Sequence, residues 1–306
     1  GKQLNASGNL DLDVSVVDVS GELKIGGRSV TSANGIWGQI VFDSNRGTHP
    51  VSIGRNRAGR YETRMYAGTY DVRVSNPTNC TGDPDDSPLP CQTLTTHTGT
   101  KIQASGQFNL DVPVVDVSGN VTMNNRRLPG GKGGGRGRLV FRRTDAAQSG
   151  DGAARSVVPI DEGGPGNYQA RLYPGQYDVL FERPDCDRDS RLPCQRGRLE
   201  EGLPLEASGS LDLNLPVVRV NGAVTVGGSR MGSSVTGRNR GSVVFERIGL
   251  DESSSSADVG ANGRATYEIF LFAGKYRVSF SGSDCPGGQQ ETGVVPCMSD
   301  VVAGCK

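Results

Sequence analysis

Six of the seven cysteines fall into three close pairs. They are Cys80 and Cys91 in CTGDPDDSPLPC, Cys186 and Cys194 in CDRDSRLPC, and Cys285 and Cys297 in CPGGQQETGVVPC. Each pair closes a turn-rich segment that ends in Pro-Cys. Structural zinc would want C-x2-4-C knuckles or accompanying histidines. The chain has two histidines, His49 and His97, and neither stands near a second ligand pair. Disulfides Cys80–Cys91, Cys186–Cys194 and Cys285–Cys297 are the expectation, and they imply an oxidising compartment. Loops this short add a little under about 3 kcal/mol each. Cys305 is left over, as a free thiol or an interchain link.

Other chemistry is weakly marked. GGKGGGRGR at 130–138 lacks the G-x4-G-K-[ST] spacing of a phosphate loop and precedes a strand, not a helix. Arg clusters at the same place in GRNRGS could meet anionic polysaccharide, but no aromatic interleaving supports a nucleic-acid surface. The formal net charge of zero selects neither nucleic acid nor a membrane. Trp37 is the only Trp, and repeat alignment sets it beside Arg136 and Arg240. An apolar residue where the copies carry charge reads as a contact surface, or as packing on its own loop. Asp83, Asp85, Asp86, Asp185, Asp187 and Asp189 in the cysteine loops suit Ca2+ or plain solvation; no EF-hand spacing occurs, and solvation is the reading adopted. No Ser/His/Asp or Cys/His arrangement repeats and no Gly-x-Ser-x-Gly occurs, so no enzyme, cofactor or metal site is expected. Asn5, Asn79 and Asn120 match the N-glycosylation triplet.

The elements that carry these residues come in three copies. VVDVSGEL at Val16, VVDVSGNV at Val114 and VVRVNGAV at Val217 mark one place; GQIVF at Gly38, GRLVF at Gly137 and GSVVF at Gly241 mark a second. RMYAGTYDVRV, RLYPGQYDVLF and FLFAGKYRVSF mark a third, and a cysteine pair follows each. Periods near 100 residues, from 16 to 114 to 217, are too long for a solenoid, so each copy reads as a domain. Leu110 and Val112, and Leu211, Leu213, Leu215 and Val217, alternate with polar residues as half-buried strands do. YPG and FAG between apolar runs predict tight hairpin turns. With 45 glycines and no helical periodicity, the chain predicts an all-β sandwich protein. No apolar run approaches the roughly 20 residues of a membrane span. No signal peptide is visible at Gly1, so the chain reads as a mature form.

VSGNVTMNNRRLPG, GRLVF and GNYQARLYPGQYDVLF together resemble the prealbumin-like (Ig-like) sandwich of carboxypeptidase regulatory-like domains. Collagen-adhesin B-type repeats of bacterial surface proteins are similar. The shared phrase is Gly-x-Tyr, an apolar strand, Pro-Gly-x-Tyr and another apolar strand. The second copy matches it with Gly166, Tyr168, Pro174, Gly175 and Tyr177; the others carry Ala67 and Ala273 for the Pro. The resemblance implies a structural or adhesive protein, secreted or on a bacterial cell surface. It also implies that ASG-x-LDLDV is the last strand of each domain. Three tandem domains follow, at 16–113, 114–216 and 217–306, with Pro113 and Pro216 stiffening the joints into a rod of roughly 110 Å.

Residues 1–15 then read as a last strand without a domain, and the third copy as a domain without a last strand. The expectation is donor-strand complementation: Leu10, Leu12, Val14 and Val16 of one chain enter the third domain of the next. Because donor and acceptor lie at opposite ends, repetition gives an open, head-to-tail filament. The alternative is a fragment of a longer surface array, an adhesin or stalk that binds cell-surface glycan or protein through its loops.

Overall fold

The structure is a computed structural model. It describes residues 13–30, 36–54, 58–76, 88–129, 136–144, 155–161, 165–183, 191–233, 239–249, 253–282 and 301–302. The fold is all-β: every regular element among the described residues is a strand. None of them forms a helix long and apolar enough to cross a membrane. The chain divides into two compact units, Gly1–Val115 with two short later pieces, and the remainder.

The first unit pairs two sheets. One is built on the leading strand Val16–Ile25, which runs antiparallel to Arg60–Tyr66. The other runs in the order Gly47–Gly54, Ile36–Ser44, Gly68–Ser75, Leu94–Ile102. Period-2 alternation sends Val17, Val19 and Leu23 inward from the leading strand, against Ile40, Phe42, Val72 and Val74 of the second sheet. Two short closing segments, Gly106–Gln107 and Leu110–Val112, pair parallel with the leading strand on its other edge. Leu110 and Val112 enter the same core.

The second unit contains this pattern twice. Val115–Met123 is the next leading strand, with closing segments Gly209–Ser210 and Leu213–Leu215 parallel to it. Val217–Ala223 is the third, antiparallel to Thr266–Phe272. The companion sheets are centred on Arg138–Arg143 and Gly241–Arg247. Each leading strand is followed by a two-residue turn with positive φ, as a primed hairpin turn requires. It is Gly26-Gly27 in the first copy, Asn124-Asn125 in the second and Gly227-Gly228 in the third.

The YPG and FAG stretches are not hairpin turns, and neither is YAG: Asn167–Leu172 lies beside Val115–Met123, and Gly175–Glu182 beside Arg138–Arg143. Arg60–Tyr66 pairs with Val16–Ile25, whereas Gly68–Ser75 pairs with Ile36–Ser44 in the opposite sheet. Thr266–Phe272 and Tyr276–Gly282 separate in the same way. The glycine turns the chain from one layer to the other. The corner is held by a tyrosine hydroxyl, Tyr70 donating to the Tyr66 carbonyl and Tyr276 to the Phe272 carbonyl, each at 2.7 Å.

Candidate functional site

In the first two copies the edge of the leading strand is satisfied by side chains as well as by the ladder. The closing phrase supplies three side-chain acceptors, spaced four and then two residues apart. Asp18 N donates to Ser105 Oγ at 2.9 Å, Glu22 N to Asn109 Oδ1 at 2.9 Å and Gly27 N to Asp111 Oδ1 at 2.9 Å. The second copy repeats the set: Asp116 N to Ser208 Oγ at 2.9 Å, Asn120 N to Asp212 Oδ1 at 2.8 Å and Asn125 N to Asn214 Oδ1 at 2.8 Å. A tyrosine from the neighbouring strand completes the joint. Tyr61 donates to the Phe108 carbonyl, and Tyr168 to the Leu211 carbonyl at 2.6 Å. Burial pushes both phenols above their ordinary range, with the Asp212 charge adding to the shift at Tyr168. The closing strand approaches so closely that a Cβ on Gly21 would fall on the Phe108 oxygen, and one on Gly119 on the Leu211 oxygen.

Among the described residues nothing gives the third leading strand this cover. Among the described residues Val217–Ala223 pairs with Thr266–Phe272 and with no parallel segment. Val218 is 42% exposed, against 4% for Val17 and 3% for Val115 at the same position. Val220 and Val224 are half-buried where Val19, Val117, Leu23 and Val121 are buried. Tyr267, the counterpart of Tyr61 and Tyr168, is half-buried. Gly222 stands where Gly21 and Gly119 stand, but the three atoms nearest a Cβ there belong to the Tyr267 side chain and not to a closing-strand carbonyl. A strand edge with no partner among the described residues carries backbone N–H and C=O groups that another strand could pair with.

The expected donor residues divide. Leu10 and Leu12 lie outside the described residues. Val14 is 56% and Val16 53% exposed, whereas Val112 and Leu215, which hold Val14's place in the later phrases, are 0% exposed. Cys80, Cys186, Cys285, Cys297 and Cys305 also lie outside the described residues. Cys91 is disulfide-bonded, and Cys194 is half-buried just before the strand Gly197–Leu205.

Trp37 sits on the strand Ile36–Ser44. Its side chain lies outside the described ones, and its counterparts in the other two copies are buried. Arg136 is 4% and Arg240 1% exposed. The Arg240 guanidinium donates to the carbonyls of Val259, Gly260, Met231 and Gly232, among others, so a charge is buried there because backbone oxygens surround it. The two histidines have separate partners: His49 Nε2 lies 2.7 Å from Thr63 Oγ1, and the His97 ring meets Phe108 edge-on at 5.3 Å. Sequence reasoning used the Gly-x-Tyr phrase as a fold marker and missed that its tyrosine reports whether a closing strand is present. It also missed the glycine in VSG and VNG that lets that strand in.

No protein-family model matches the chain, and no curated protein matches it. Among solved structures it is similar to the Bacillus anthracis TIE protein, at 11% identity and a TM-score of 0.24; 88% of this chain is covered, and it spans 46% of that protein's length. It is also similar to the Streptococcal ancillary pilin, at 10% identity and a TM-score of 0.24, with 91% and 93% of the two chains covered. A DUF3823 family protein of Parabacteroides merdae aligns at 11% identity and a TM-score of 0.25, covering 57% of this chain and 94% of its own.

Proposed function

We propose that this chain is an extracellular structural subunit of prealbumin-like sandwich domains, in the fibre or adhesive-stalk class, that assembles head to tail by strand donation. The observation that carries this reading is the open edge of Val217–Ala223 beside two equivalents that are filled. Three closing phrases occur in the sequence. Two of them fill the first and second leading strands. Among the described residues the third edge has no parallel partner, and the phrase at 6–14 is the one we assign to it. Ser15 separates that phrase from the first leading strand, and its carbonyl accepts the Ala67 N–H, so a second chain is the proposed recipient.

Mapped onto the filled edges, Ser7 would accept from Arg219 N, Asp11 from Ala223 N and Asp13 from Gly228 N. The Leu10 carbonyl would accept from the Tyr267 hydroxyl. Leu10, Leu12, Val14 and Val16 contribute roughly 1.5–3 kcal/mol each in apolar burial, offset in part by the entropy of association. The disulfide at Cys91 supports an oxidising location, and Cys80 is its proposed partner; non-reducing peptide mapping checks this.

The test is hydrogen exchange across 217–226 in the full chain. A synthetic peptide of residues 2–16 is expected to slow exchange there and to block polymer growth. A Leu12→Asp peptide should do neither, since a buried carboxylate in that groove costs several kcal/mol. Unchanged exchange with the native peptide would refute the donor and leave the edge to some other segment.

A further inference from the structure

The third copy buries an aromatic ring that the first copy exposes. Phe272, the last residue of Thr266–Phe272, is 0% exposed. Its ring lies 5.9 Å from that of Phe181, and a Cβ on Gly197 would come within 2.5 Å of it. Gln195, 1% exposed, donates from Nε2 to the Phe245 carbonyl at 2.9 Å, and the Tyr276 hydroxyl lies 2.9 Å from Gln195 Oε1. All these residues belong to the second unit. The end of the second copy therefore caps the end of the third.

The same end of the first copy has the same parts. Tyr66 closes Arg60–Tyr66 as Phe272 closes its strand. Phe42 meets Tyr70 edge-on at 6.1 Å, as Phe245 meets Tyr276 at 6.4 Å. Yet Tyr66 is 57% exposed. Beside it lies an open cavity of about 360 Å3 lined by Val16, Thr48, His49, Met65, Tyr66 and Tyr70.

We propose that this end of the first unit is a docking face for a second copy of this chain, whose Phe280 covers Tyr66. Phe280 holds in the third copy the place of Phe181 in the second. Phe181 pairs with Leu139 and Phe280 with Val243, at matching positions of GRLVF and GSVVF. Phe181 is 0% exposed, but Phe280 is only half-buried. A second copy is the occupant because both halves of this contact already meet inside one chain, between its second and third copies. The inference deepens the head-to-tail reading and rests on it: the donated strand fills an edge, and the docked end adds a rigid aromatic contact that orients successive subunits.

The test places a photoreactive benzoylphenylalanine at position 66 of the full chain. Interchain adducts are expected within 276–282. Tyr66→Asp should raise the concentration needed for assembly about tenfold or more, while Tyr66→Phe should leave it unchanged. Neither change should lower the melting temperature of the monomer, because the ring is exposed. Polymers that form without the adduct, with Tyr66→Asp assembling normally, would overturn the docking face and leave strand donation standing. Adducts that form between native chains whose residues 217–226 stay exchangeable would uphold docking and refute donation. A chain that stays monomeric and unlinked at every concentration would overturn both.

Discussion

The Tyr168 hydroxyl donates to the Leu211 carbonyl at 2.6 Å, across 43 residues of sequence. It ties the strand after Gly166 to the closing phrase, and Tyr61 and Phe108 repeat it in the first copy. Tyr168 is 3% exposed, so its hydroxyl has little access to water. Tyr168→Phe should cost about 1–2 kcal/mol, because a part-buried carbonyl loses its donor. Tyr267→Phe should cost much less in the unassembled chain, where that donor faces no closing strand. Urea denaturation of the two variants checks the difference.

Alkaline stability should follow the same tyrosines. The ordinary phenol value is 10.0, and burial raises Tyr61 and Tyr168 well above it. A raised folded value means that the fold holds the proton more tightly than the open chain does. The contribution is complete below pH 10 and is lost as pH rises above it, because the unfolded chain ionises first. Ultraviolet titration should show two phenolates appearing only as the fold opens. Phenolate from all eight tyrosines near the ordinary value, in a folded protein, would contradict this.

The acid side should depend on Asp178. Burial pulls its carboxyl up, but the Arg142 hydrogen bond, the Gly202 N–H and the charges of Arg142 and Arg198 outweigh that and hold it below the ordinary 3.8. Its contribution is present above that value and is lost as pH falls through the lowered one. Arg142 Nη2 lies 2.8 Å from the carboxylate. Arg142→Met should cost about 1–2 kcal/mol near neutral pH, kept small by the exposure of the guanidinium, and should move acid unfolding to higher pH. Denaturation midpoints across an acid series measure both effects.

Local pattern made the strands and their faces legible. Leu110, Val112, Leu213 and Leu215 alternate in sequence and are buried in the structure. The YPG and FAG corners were misread because a glycine between two apolar runs marks only a change of direction. Which sheet the next strand joins is set by distant partners, Ile36–Ser44 for one side and Val16–Ile25 for the other. The buried Arg240 was invisible for a similar reason. Its carbonyl partners lie 8 to 23 residues away in loops, and nothing beside it in sequence announces them. Among the described residues no parallel segment pairs with Val217–Ala223, a pairing that alternation alone does not report. The exposure of Val218 and Tyr66, which gives that edge and the end face physical form, needed coordinates.

The glycines of the leading strands separate folding from assembly. A Cβ on Gly119 falls on the Leu211 carbonyl oxygen, a backbone atom fixed by the parallel ladder of the second copy. Gly119→Ala must push the closing strand away and should cost about 1–3 kcal/mol or more. At Gly222 the nearest atoms are those of the Tyr267 ring, 2.7 to 2.9 Å from the added carbon. That ring is half-buried and can swing outward. Gly222→Ala should therefore leave the stability of the isolated chain within about 0.5 kcal/mol. An incoming strand would meet the new methyl where its own carbonyl must pass, as at Gly21 and Gly119. Protection of 217–226 by the peptide of residues 2–16 should be lost in Gly222→Ala, while the fold survives. If that variant binds the peptide as tightly as the native chain, the donated strand does not lie along Val217–Ala223 in the register of the first two copies.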